Sequence, residues 1–172
     1  MTRIAVLSVA CLLLATPASL LAKSPTVKIV IRGADLTSPI QIKDAKVVAN
    51  FQVMSGKGTY ANAPRLEEPS FIIDWSQGPT TEPPKALPRY EVLFYSDQPK
   101  ERLVYAVSYA FDAVTSKGYV YFPGKKDENY ALNVRTIFRR VEGKWFHSWG
   151  RWDSVAQQLI QSRTPEQFST TK

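Results

Sequence analysis

Between residues 89 and 122 the chain runs through three strand-like segments separated by two stretches of turn chemistry. No other feature limits the fold as much. The segments cover 89–96, 102–111 and 118–122 and are rich in β-branched and aromatic residues. The connections are Asp97-Gln98-Pro99-Lys100 and residues 112–117. Short polar turns of this kind join neighbouring strands, so the pattern predicts an antiparallel meander. In the middle segment Leu103, Tyr105, Val107, Tyr109 and Phe111 point one way, and Val104, Ala106, Ser108 and Ala110 the other. The bulky face fills a core or lines a groove. The small face admits close approach of a helix, a loop or a second sheet.

Elements on either side extend this centre. Residues 27–32 read as a strand with Val27, Ile29 and Ile31 on one face, ended by Gly33, and residues 39–43 as a second short strand. The Asp44 carboxylate can accept from free first-turn amides, which predicts a short helix through Phe51. Residues 55–69 read as loop and 70–75 as a strand. Residues 76–88 carry Gly78, Pro79, Pro83, Pro84 and Pro88 and are expected outside the sheet, because proline has no amide to donate. That stretch is either a lid-like binding loop or a stiff connection. Residues 130–139 suit helix and strand equally, and 144–148 read as a short strand. Asp153 is expected to start the last helix, where Trp152, Val155, Ala156, Leu159 and Ile160 form one apolar stripe. Arg163 near its end suits the helix dipole. The sum is an α+β domain: a mainly antiparallel sheet with a central meander, a short N-terminal helix, and a C-terminal helix packed on the sheet. The alternative is a compact β-sandwich with a helix over one edge.

The start of the chain reads as a secretory signal peptide over residues 1–22. Arg3 supplies a positive start, Ile4 to Ala15 an apolar run, and Pro17, Ala18, Ser19 and Ala22 the small and helix-breaking residues a signal peptidase needs. Cleavage after Ala22 or after Ala18 satisfies that chemistry. The run is shorter than the roughly 20 apolar residues of a membrane span, and polar sequence follows from Lys23. Lipidation of Cys11 fits less well, because Ser8 stands where a bulky aliphatic is usual and the apolar run continues beyond the cysteine. One domain over 23–163 and a polar tail over 164–172 remain. Cys11 is the one cysteine of the chain, so the exported part has no disulfide, thiolate nucleophile or cysteine metal site. It also lacks an Asn-x-Ser/Thr acceptor. The expected location is secreted or periplasmic.

The chain carries a net charge of +7. Much of the excess lies in Lys117, Lys125, Lys126, Arg135, Arg139, Arg140, Lys144 and Arg151, opposed there by Asp127, Glu128 and Glu142. A basic face outside the cytoplasm suits an acidic glycan, an anionic envelope surface or another exported protein, and otherwise serves as solvated surface. Export disfavours nucleic acid as a ligand.

Catalytic chemistry finds little footing. His147 is the one histidine, and Ser148 beside it points to the opposite face of a strand, so that pair is not nucleophile and base. One histidine and no acidic loop predict no metal site and no cofactor. Ser55-Gly56-Lys57-Gly58-Thr59 resembles a phosphate loop only faintly, since Phe51 occupies the place of the leading glycine. Asp74 and Glu91 as a glycosidase pair have no support in their spacing. The aromatic residues offer more. Trp145, Trp149 and Trp152 lie close together, Trp75 ends an earlier segment, and Tyr105, Tyr109, Tyr119 and Tyr121 alternate along strands. Flat rings with a polar edge suit sugars and protein surfaces, and neighbouring arginines suit carboxylates. Candidate contact residues are therefore Trp75, Tyr121, Arg135, Arg139, Trp145, His147 and Trp149. The competing assignment places the same aromatics in the core.

The run Gly118-Tyr119-Val120-Tyr121-Phe122-Pro123-Gly124, with Asn133, Ile137, Arg139, Glu142-Gly143-Lys144-Trp145, Trp152 and the earlier Asp74-Trp75-Ser76, resembles a group of small exported bacterial proteins without an assigned activity. The resemblance implies bacterial origin and a single domain. These features lead to the expectation of an exported, non-catalytic binding or structural module; a hydrolase and a protein-interaction or inhibitor module are the alternatives. Mass spectrometry of the exported protein is expected to find its N-terminus at Lys23 or Ser19; a retained Met1 would remove the signal-peptide reading.

Overall fold

The computed structural model describes residues 25–59, 70–83 and 85–163. The leader over 1–22, the tail over 164–172 and most of the expected 55–69 loop lie outside the described residues. Seven strands form one antiparallel sheet in the order β2-β1-β4-β5-β6-β7-β3. They are β1 (Lys28–Gly33), β2 (Ile40–Ile42), β3 (Pro79–Thr80), β4 (Arg89–Ser96), β5 (Arg102–Asp112), β6 (Lys117–Tyr121) and β7 (Trp145–His147). The helices are α1 (Ala45–Val48), α2 (Tyr130–Thr136) and α3 (Gly150–Gln161). This is the α+β architecture the meander implied.

The inner face of the sheet carries the core. Ile29 and Ile31 of β1, Tyr90, Val92 and Phe94 of β4, Tyr105, Val107 and Tyr109 of β5, and Phe146 of β7 are all buried there. Against them lie Val48, Phe51 and Val53 from α1 and its exit, and Trp152, Ala156 and Ile160 from α3. The predicted stripe on the last helix is thus the surface it buries. Asp44 caps α1 as expected, its carboxylate accepting from the amides of Lys46 and Val47, but the helix ends at Val48 rather than Phe51. The last helix starts earlier than expected, at Gly150, with Asp153 inside its first turn.

Three local expectations need correction, and one left open is resolved. Residues 70–75 are not a strand. Ser70 and Ile73 exchange backbone hydrogen bonds at 3.0 and 3.1 Å around a tight turn with Phe71 at φ +59°. Phe71, Ile72, Ile73 and Trp75 are all buried, so this apolar run is a plug inserted into the core, and no alternation marks a face. The proline-rich stretch does enter the sheet. Pro79 and Thr80 pair with Phe146 and Trp145 of β7 as an edge strand, where a proline does not interrupt a ladder. In β5 the alternation slips once. Phe94 pairs with Tyr105 and Tyr95 with Leu103, so Val104 is the extra residue of a bulge. Leu103 therefore joins Val30, Leu93 and Ala106 on the outer face, and Val104 joins the main core. Residues 130–136 resolve as helix because β6 ends at Tyr121 and leaves the backbone of β5 open beyond it. Asn133 closes that gap: its amide accepts from Ala106 N at 2.9 Å and donates to Ala106 O at 2.7 Å. Thr136 Oγ1 donates to Val104 O at 2.6 Å.

Gly118 marks the tightest contact between sheet and helix. A Cβ placed there would lie 1.9 Å from Ser148 Oγ and 2.0 Å from Asp153 Oδ1. Gly118→Ala is expected to lower the urea unfolding free energy by about 2–3 kcal/mol through overpacking. Gly150→Ala, with nothing within 4 Å of its new Cβ, is expected to raise it by about 0.5 kcal/mol. Equal midpoints for the two variants would contradict this packing.

Candidate functional site

The outer face of β5–β7 gathers polar and aromatic side chains in two cross-strand rows. Pairing places Arg89 beside Ala110, Ala110 beside Tyr119, and Tyr119 beside His147. The second row runs Glu91, Ser108, Tyr121 and Trp145. Ser108 and Ala110 form a low floor, and the rings of β6 and β7 form a wall beside it. Tyr119 and His147 lie 5.2 Å apart between ring centres, and Tyr121 and Trp145 5.1 Å apart. The Arg89 guanidinium reaches over the Trp145 ring at 4.9 Å.

A strap crosses this face. The chain leaves β3 beyond β7 at one edge and re-enters at β4, so the connection to which the described residues 81–83 and 85–88 belong spans β7, β6 and β5. Glu82 in the strap pairs with Arg89 at 3.0 Å, and Pro83 is buried. The Tyr121 hydroxyl donates to Asp127 at 2.8 Å. Burial, followed by that bond and the charges of Asp127 and Glu82, pushes the Tyr121 phenol up. Glu91 holds Arg32 at 2.6 Å and accepts from Asn129 at 3.2 Å. Among the described residues, the Tyr119 hydroxyl and the His147 ring have no hydrogen-bond partner.

The candidate residues divide by location. Tyr121, Trp145 and His147 meet on this outer face, although Trp145 is only 8% exposed. Trp75 is buried on the opposite side of the sheet, 5.8 Å from Phe122, with Nε1 donating to the Ser70 carbonyl and hydroxyl. Trp149 precedes α3 and packs edge-on against Phe51 at 5.9 Å, with Arg151 over it at 5.7 Å. Arg135 is exposed in the last turn of α2. Arg139 is 1% exposed, and its guanidinium donates to the carbonyls of Ser55, Lys57 and Val53. The assignment of Arg139 to ligand contact is therefore corrected to an internal tie. Arg89 and Tyr119 complete the surface group. Period-two alternation alone puts Arg89 on the face of Ser108 and Ala110, but its approach to Trp145 depends on strand order, which no local pattern carries.

A second polar group lies at the junction of β6, β7 and α3. Asp153 accepts from Ser148 Oγ, from Tyr109 Oη at 2.8 Å and from the Gly118 amide. Gln157 Nε2 donates to Tyr109 Oη at 3.3 Å. This arrangement is not a triad. The Ser148 hydroxyl donates to a carboxylate, and His147 occupies the other face of β7. No group of side chains among the described residues has the make-up of a metal site. No family model, curated protein or solved structure matches the chain.

Burial is the largest influence on Asp153 and pushes its carboxyl up, against the bonds from Ser148, Tyr109 and Gly118 and the charge of His147. A carboxyl raised on folding contributes stability below its ordinary value of 3.8, and that contribution is lost as pH rises through the folded value. The unfolding free energy of the wild type relative to Asp153→Asn is thus expected to fall as pH rises above 3.8. Urea titrations from acid to neutral pH measure this, and a pH-independent difference would remove the buried-acid assignment.

Proposed function

We propose that this protein is an exported, non-catalytic binding module of the bacterial envelope or extracellular space, and that the outer face of β6 and β7 takes an acidic glycan. The observation behind the reading is the row of Tyr119, Tyr121, Trp145 and His147 on one face of the sheet, with Arg89 at its end. The partly exposed rings of Tyr119, Tyr121 and His147 offer stacking surface to a sugar, with the buried Trp145 behind them, and the unpartnered Tyr119 hydroxyl and His147 ring offer hydrogen bonds to its hydroxyls. Arg89 supplies a planar cation for a carboxylate, which would compete with Glu82 for it.

A hydrolase reading has one observation in its favour, the buried Asp153 with its raised carboxyl. The three hydrogen bonds it accepts join β5, β6 and the residue after β7 to α3, which suits a structural latch. Turnover of a glycan substrate, lost in Asp153→Asn, would replace the binding reading.

Co-sedimentation of the exported protein with isolated cell-wall sacculi at low and high salt tests the proposal. Binding that persists at high salt and falls about tenfold in Tyr119→Ala is expected, in line with about 1–1.5 kcal/mol for one aromatic contact. An absence of binding at both salts, or a Tyr119→Ala variant equal to wild type, would overturn the reading.

A further inference from the structure

Three loops converge at the end of the sheet where β6 stops and β7 starts. Arg139 is the joint between two of them, because its guanidinium donates to Ser55 O at 3.0 Å and Lys57 O at 2.6 Å. Gly58 packs so closely there that a Cβ would lie 2.8 Å from Arg139 Cα and 3.1 Å from Phe138 O. The third loop joins through the backbone: Gly143 N donates to Phe122 O at 2.8 Å, and Phe122 N to Lys144 O at 3.1 Å. A Cβ on Gly124 would lie 3.0 Å from Gly143 Cα.

The exposed tips of these loops are basic. Lys57, Lys125, Lys126, Arg140 and Lys144 are all exposed, and none is in an ion pair among the described residues. Lys28, Arg32 and Arg89, on the strands, are each paired with a glutamate. The acids at this end are largely engaged. Glu142 accepts from Arg139 N at 2.8 Å, and Asp127 accepts from Gly124 N at 2.6 Å and from Tyr121 Oη; Glu128 is exposed. Among these cations sits Phe138, 56% exposed. Its exposure follows from the chain direction: with Arg139 pointing inward, its neighbours Phe138 and Arg140 point out. Val114, the other strongly exposed apolar side chain at 94%, lies in the β5–β6 turn at the opposite end of β6.

We propose that this end of the molecule docks on the surface of an anionic lipid bilayer, with the lysines and Arg140 against headgroup phosphates and the Phe138 ring in the interfacial layer. Charge alone would suit any polyanion. The aromatic ring decides for lipid, since a bilayer offers an apolar phase behind its phosphates and a dissolved polyanion does not. This surface meets the aromatic rows of the glycan proposal at the Tyr121–Asp127 hydrogen bond but shares none of its five cations or Phe138 with them, so either proposal can fail without the other.

The test is flotation of the exported protein with vesicles of phosphatidylcholine alone and of phosphatidylcholine with about one third phosphatidylglycerol, the regime in which basic residues gain from surface potential. Binding at least tenfold stronger to the anionic vesicles is expected, with Lys126→Glu weakening it severalfold and Lys117→Glu, at the far end of β6, leaving it nearly unchanged. A Phe138→Cys variant carrying an environment-sensitive fluorophore is expected to shift to the blue on anionic vesicles, and a Val114→Cys variant labelled in the same way to show no shift. All four positions are exposed, and unchanged thermal unfolding confirms that each variant is folded. Equal binding to both vesicle types, equal losses from Lys126→Glu and Lys117→Glu, or no shift from the Phe138 probe would each overturn the proposal.

Discussion

A guanidinium buried without a carboxylate partner connects the parts of this fold. Arg139 donates to three backbone carbonyls of residues 53–57 and lies over the faces of Phe71, Tyr105 and Trp75 at 4.9, 5.4 and 5.8 Å. Burial lowers the guanidinium pKa, with Tyr105 opposing the shift. Moving a charge out of water costs several kcal/mol, so its neighbours must offset that cost. Hydrogen bonds to a charged group contribute about 1.5–3 kcal/mol each, and a desolvated cation over an aromatic face about 2 kcal/mol. The carbonyls come from the loop, the Phe71 and Trp75 rings from the 70–75 plug, and the Tyr105 ring from β5, so all three segments meet at this one charge. The charge therefore makes the three segments depend on one another.

The two faces of the sheet are built differently around this tie. The inner face is packed by α1, α3 and the plug, with aromatic edges against faces, as in Phe51 with Trp152 at 5.2 Å and Tyr109 with Trp152 at 5.9 Å. The outer face is covered by short pieces: α2 beside β5, the strap over β5–β7, and ion pairs along β1 and β4. Small side chains at Ala106, Ser108 and Ala110 permit that thin cover. The partly exposed hydrogen-bonding side chains of β6 and β7 lie on the outer face, whereas in the core Tyr105 Oη, Trp152 Nε1 and Arg139 Nε are buried without a hydrogen-bond partner among the described residues.

Legibility in the sequence followed the range of the interactions. The three central strands, the Asp44 cap and the α3 stripe rest on period-two or period-3.6 patterns and on one local hydrogen bond, all of which show in a short window. Residues 70–75 misled because a run buried on every side has no period. The bulge at Val104 cannot be read from β5 alone, since register belongs to the pair. The candidate residues divided for the same reason. Trp75, Tyr121, Arg139 and Trp145 are all aromatic or basic, and nothing in the residue type says which side of the sheet each one takes.

The sequence by itself determined the class of the fold, the meander, the alternation of β5 from Tyr105 onward, and a single histidine, too few for multi-histidine metal chemistry. The tertiary structure alone decided that Arg139 is an internal tie, that the proline-rich stretch straps the outer face, and that Tyr119, Tyr121, Trp145, His147 and Arg89 share one surface. Local patterns record only what a residue does to its near neighbours along the chain. Strand order brings residues 89 and 145 together, and a buried charge selects its carbonyls from a loop more than eighty positions away.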